Sequence, residues 1–83
     1  KNRLVDGITV RGHTVTRGMQ CMILGAVGEG CSKGSVAMWL HYWTGWSIRD
    51  CDKVVDSVVA AAQALVAGEI LFTYLRVVCM LLR

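Results

Sequence analysis

No uncharged run in this sequence is long enough to cross a bilayer. The longest, Gly34 to Ile48, covers fifteen residues and includes His41, whereas a spanning helix needs about 20 mostly apolar residues. The C-terminal third comes closer, but it carries Glu69 and Arg76, so no window reads as a clean transmembrane span. A dense basic patch is missing as well. The net charge is +3, with Lys1, Arg3, Arg11 and Arg17 gathered towards the start. That balance suits an anionic cell surface and is too sparse for nucleic acid. Neither an initiator Met nor a signal peptide is present, and the chain opens on Lys1 and closes on Arg83 after an apolar run. It reads as a mature fragment cut from a precursor.

The residues that carry most enzyme chemistry are absent or scattered. Cys21, Cys31, Cys51 and Cys79 lack the close pairs of a zinc site. His13 and His41 have no carboxylate or cysteine at metal spacing and are read as structural. The glycine-rich stretch from Gly25 to Gly34 contains Lys33-Gly34-Ser35, with the lysine before the glycine, whereas a P-loop needs Gly-Lys-Ser/Thr. Gly28-Glu29-Gly30 lacks the third glycine of a dinucleotide turn, since Lys33 stands in its place. The stretch is a flexible loop. General acid–base work needs two groups held together, while Asp6, Glu29 and Glu69 are isolated in sequence. These absences argue against an enzyme and imply no cofactor and no metal.

What is present begins with a surplus of apolar residues. At 83 residues the chain forms one domain, residues 1–83, and a domain of this size leaves much of its surface uncovered. Yet 54% of its residues are hydrophobic and the mean hydropathy is +0.48, so the excess must meet lipid or another chain. The even set of four cysteines suits two disulfides in a secreted domain, with three connectivities open. The alternative is four reduced cysteines acting as small core residues.

Residues 4 to 17 are rich in β-branched side chains and punctuated by Gly7 and Gly12, which predicts two short strands turning at Gly12-His13. Gln20 to Val27 suits a strand or the start of a helix. From Ser35 to Ser47 both alternate faces are largely apolar, as in a strand covered on both sides. Trp39, Trp43 and Trp46 in that segment are read as packing residues, with interfacial anchoring at a membrane as the alternative.

The most specific pattern follows. At 100° per residue, Cys51, Val54, Val55, Val58, Val59, Ala61, Ala62, Leu65 and Val66 share an arc of about 160°, and the remaining residues of 51–67 are polar or Ala. This predicts an amphipathic helix over about 51–67, with Asp50 as N-cap and Gly68 as the left-handed stop. Glu69 to Leu82 then reads as a strand, favoured by its Phe, Tyr, Ile, Thr and paired Val. The whole predicts an α+β protein, an α/β sandwich with a largely antiparallel sheet and one main helix.

The helix opening Asp50-Cys51-Asp52-Lys53-Val54-Val55 resembles that of small secreted fungal killer toxins and effectors of the KP4, KP6 and salt-mediated types. The resemblance covers about residues 47 to 68. It implies an α/β-sandwich fold, a secreted toxin subunit acting at a target cell's membrane or channels, and a second chain from the same precursor. Lys1, Arg3, Arg11, Arg17, Trp39, Trp43 and Trp46 are then the candidate contacts with a membrane or partner. The alternative is a small membrane-embedded subunit of a larger assembly, in which Glu69 and Arg76 pair inside a bundle.

Overall fold

The computed structural model describes residues 7–81, apart from the side chains of residues 70–72. Five elements follow one another: β1 (Gly7–Val10), β2 (His13–Thr16), α1 (Arg17–Gly28), α2 (Lys33–Thr44) and α3 (Ile48–Leu81). The protein is α+β only in the coarse sense that one antiparallel hairpin accompanies three helices.

The hairpin forms where it was expected, with its turn one residue earlier. Val10 pairs with His13 and Gly7 with Thr16, so Arg11 and Gly12 make the two-residue connection. Their φ values of 50° and 83° are the left-handed pair of a type I′ turn, whose twist matches that of the strands. Val15 is fully buried, and Ile8 and Val10 lean on the same core.

Each helix has a capping signal in the sequence. Thr16 Oγ1 accepts from the Met19 N–H at 3.3 Å to start α1, and Ser32 Oγ accepts from the Ser35 N–H at 3.1 Å to start α2. Gly45, left-handed at φ 80°, closes α2 by donating to the His41 carbonyl at 2.9 Å, a conformation in which a side chain would be strained. Ser47 caps α3, accepting from the Asp50 N–H at 3.1 Å. The core brings together Val15, Ile23, Val36, Ala37, Leu40, Cys51, Val54, Val55 and Val58. Gln20 is buried among them with its amide donating to the Val15 carbonyl at 3.2 Å, which ties α1 to β2.

Two expected strands are helices, and no sandwich is formed among the described residues. Over Ser35–Ser47 the alternation failed to discriminate because nearly every position is apolar. What orients the segment is the helical spacing of Val36, Ala37 and Leu40, the three residues of α2 that are buried. Gln20 to Val27 is helical too, and so is the first part of the Gly25–Gly34 stretch, since α1 runs to Gly28.

The second correction concerns α3, which passes through Gly68 to Leu81. A glycine inside a helix costs only about 1 kcal/mol relative to Ala, and good helix formers flank it. The expected break assumed that the apolar face stays covered, which would have buried Glu69. Instead the cover ends near Val59. Cys51, Val54, Val55 and Val58 are buried as the arc requires, whereas Ala61, Leu65 and Val66 are exposed. The buried face rests mainly on α2, then on α1 and β1, not on a broad sheet.

The molecule therefore has two parts. A head holds the hairpin, α1, α2 and the first third of α3. A stem, residues 60–81, continues α3 beyond it, with only Ala62 and Val78 half-buried among its described side chains. The 34-residue helix rises about 51 Å, close to the molecule's long dimension of 56 Å.

Candidate membrane-facing site

The stem has the composition of a bilayer helix, and its described side chains other than Ala62 and Val78 are exposed. An 18-residue window within α3 has a mean hydropathy of 1.8 with at most two charged residues, and none of that window is buried. A core helix of a soluble protein passes the same test of length and composition, but does so buried. From Ala60 to Leu81 the stem rises about 33 Å, against a hydrocarbon thickness of about 30 Å. In the sequence, Glu69 and Arg76 argue against a span here. The unbroken helix reopens the assignment by joining the runs on either side of Gly68.

Leu65, Val66, Tyr74, Leu75, Val77, Met80 and Leu81 are all exposed, Met80 and Leu81 at 74% and 80%. Exposed apolar area of this extent marks a surface that meets lipid or protein. Glu69, Thr73 and Arg76 are also exposed, and they fall on one side of the helix.

At the opposite end of the head a polar cluster holds the hairpin against α3. Asp50, in the first turn of α3, accepts from Arg11 Nε through Oδ1 and lies 2.8 Å from His13 Nε2 through Oδ2. An ionised carboxylate only accepts, so Nε2 is the protonated ring nitrogen of His13. The His13 ring stacks on Trp46 with centroids 4.3 Å apart, and the Trp46 carbonyl accepts from His41 Nδ1 at 2.6 Å. Asp50 is thus a clasp rather than the N-cap. The Arg11 hydrogen bond first, then that of His13, holds its carboxyl below the usual carboxylate range.

A depressed folded-state pKa means the clasp stabilises above the unfolded value, about 3.9, and is lost as pH falls through the lower folded value. The protection factors of the β1 and β2 amides, taken against the intrinsic exchange rate at each pH, are therefore expected to fall as pH drops below about 4. Asp50→Asn should show that loss of protection already at neutral pH while leaving α2 protected. Equal protection of the hairpin in Asp50→Asn and the parent would show that the clasp does not hold it.

Among the described residues, the sequence-predicted contacts are spread over the hairpin, α1, α2 and the turn before α3. Lys1 and Arg3 lie outside the described residues. Arg11 serves the clasp, and Arg17 begins α1, half-buried. Trp46 is half-buried against His13 and the core, which suits the packing reading. Trp39 and Trp43 instead stack on the exposed side of α2, centroids 5.4 Å apart. The α2 start lies beside the stem end of the head, as the Lys33 Nζ–Asp56 Oδ1 pair at 3.6 Å marks. Trp43, near the other end of α2, is therefore carried away from the stem. A groove of about 540 Å³ between α1 and α2 is lined by Met22, Gly25, Ala26, Val36 and Trp39, with Glu29 and Cys31 at its edge.

All four cysteines stand as free thiols. Cys51 is fully buried, and burial pushes its thiol up, which makes it a core residue and a poor nucleophile. Cys51 and Cys79 share α3, about 42 Å apart along it, so this pair cannot bridge within one chain. Among the described residues no three His, Cys, Asp or Glu converge as metal ligands.

Compared with protein-family models, curated proteins and solved structures, the chain matches none.

Proposed function

We propose that this protein is a small, non-enzymatic membrane subunit, with the α3 stem entering the bilayer and the packed head held at its surface. The observation that carries this reading is the exposure of a bilayer-length apolar helix, of mean hydropathy 1.8, beyond the end of the core. Leaving that much apolar area in water is unfavourable by roughly 25 cal/mol for each Å², and a bilayer removes the penalty without any change in the head. Glu69 and Arg76 remain costly in hydrocarbon, which favours a stem that pairs with other helices over one alone in lipid.

The secreted toxin subunit is the second reading. It draws on the same exposed stem, here as the part that meets a target cell's membrane or a second chain from the same precursor. Two disulfides among Cys21, Cys31, Cys51 and Cys79 would mark it, and Cys51 cannot pair with Cys79 of the same chain.

Vesicle flotation tests the membrane reading. The full chain is expected to rise with neutral phosphatidylcholine vesicles and to resist extraction by high salt and by carbonate. Release by salt alone would mean surface binding and would sink the insertion reading. Intact mass before and after reduction and alkylation separates the second reading, which requires two disulfides.

A further inference from the structure

Along the stem the charged residues follow a spacing that is complementary to itself. Ala62, Leu65, Glu69, Thr73, Arg76 and Met80 recur every three or four residues, so all lie within about 40° of Glu69 around the helix axis. A straight stripe of this spacing can serve as the contact line between two paired helices. Its described members beyond Ala62 are exposed. In a parallel pairing in register, each seam residue meets its own copy, so Glu69 faces Glu69 and Arg76 faces Arg76. Two like-charged contacts at the seam disfavour that arrangement.

Reversing one helix changes every contact. With a two-fold axis between positions 72 and 73, Glu69 of each chain lies opposite Arg76 of the other, and Leu65 lies opposite Met80. Acid meets base twice and apolar meets apolar twice, from one seam and one symmetry operation. We infer that the stem is an antiparallel self-pairing surface whose occupant is the stem of a second copy, with two Glu69–Arg76 pairs fixing direction and register. The inference deepens the membrane reading but does not require it, because the same charge complementarity disfavours the parallel arrangement in water as well as in lipid.

The test uses the full chain with Cys79→Ser, in phosphatidylcholine vesicles and in detergent micelles. Leu65→Cys together with Met80→Cys is expected to give an intermolecular 65–80 disulfide under mild oxidation, identified by mass spectrometry of the linked peptides. Predominant 65–65 and 80–80 links would mean a parallel pair and would overturn the inference. Glu69→Arg alone, or Arg76→Glu alone, should weaken dimerisation by roughly 100-fold, and the double exchange should restore it. A double exchange that stays as weak as either single variant rejects the charge-directed pairing. Flotation of the same samples separates the two claims. Dimers that form in micelles without floating would sink the membrane reading and keep the pairing, and chains that float as monomers would do the reverse.

Discussion

Leu75→Lys is expected to lower the partition of the chain into lipid vesicles by at least roughly 10-fold, because exchanging Leu for Lys costs about 3 kcal/mol at the centre of a spanning helix and less towards its ends. Leu75 lies about two-thirds of the way along the stem and is half exposed, so the head has little stake in it. The substitution should leave the melting of the head in detergent unchanged. Met38→Lys, at a comparably exposed site on α2, serves as the control and should float like the parent. Equal flotation of Leu75→Lys and the parent would mean that the stem never enters hydrocarbon. The apolar helix would then have to be covered by protein.

The second large effect lies in the head. Leu40 is 1% exposed at the centre of the contact between α2 and α3. Leu40→Ala removes buried methyl groups and leaves a cavity, at a cost of about 2–5 kcal/mol. A head of this size has a stability of about 3–7 kcal/mol by the usual per-residue scale, so the variant should sit near its own unfolding threshold at 37 °C. Its melting midpoint, followed by near-ultraviolet circular dichroism, should fall by at least about 10 °C. Leu65→Ala is the counterpart, because Leu65 is 41% exposed and its truncation should move the midpoint little. Similar losses from the two variants would show that the boundary between head and stem is misplaced.

Two elements of this arrangement are legible in the sequence. The helix beginning near Cys51 follows from its Val54, Val55 and Val58 spacing, and the hairpin from alternating β-branched residues around Gly12. The rest was hidden for physical reasons that differ from segment to segment. In Ser35–Ser47 the residues are apolar on every side, so neither period of two nor period of 3.6 stands out. Ser32 and Gly45 were the usable signals there, because a cap before the run and a left-handed glycine after it delimit a helix. At Gly68 one glycine is outweighed by the helix formers on either side of it. The clasp was hidden because Arg11, His13 and Asp50 are far apart in sequence, and only the docking of the hairpin on α3 brings them together. The exposure of the stem depends on where the core runs out, which a single chain's periodicity does not record.

One helix serves both parts of the molecule, and that has a mechanical meaning. Cys51, Val54, Val55 and Val58 anchor α3 in the head, and the same backbone ladder continues to Leu81 without a loop between. A helix of this length bends only gently, so it behaves as an axle. Sliding the stem by one residue, about 1.5 Å, must roll it by about 100° to keep the same face in the same surroundings, and the head turns through the same angle. Any change in tilt or register at the far end of the axle is therefore delivered to the surface of the head as torque.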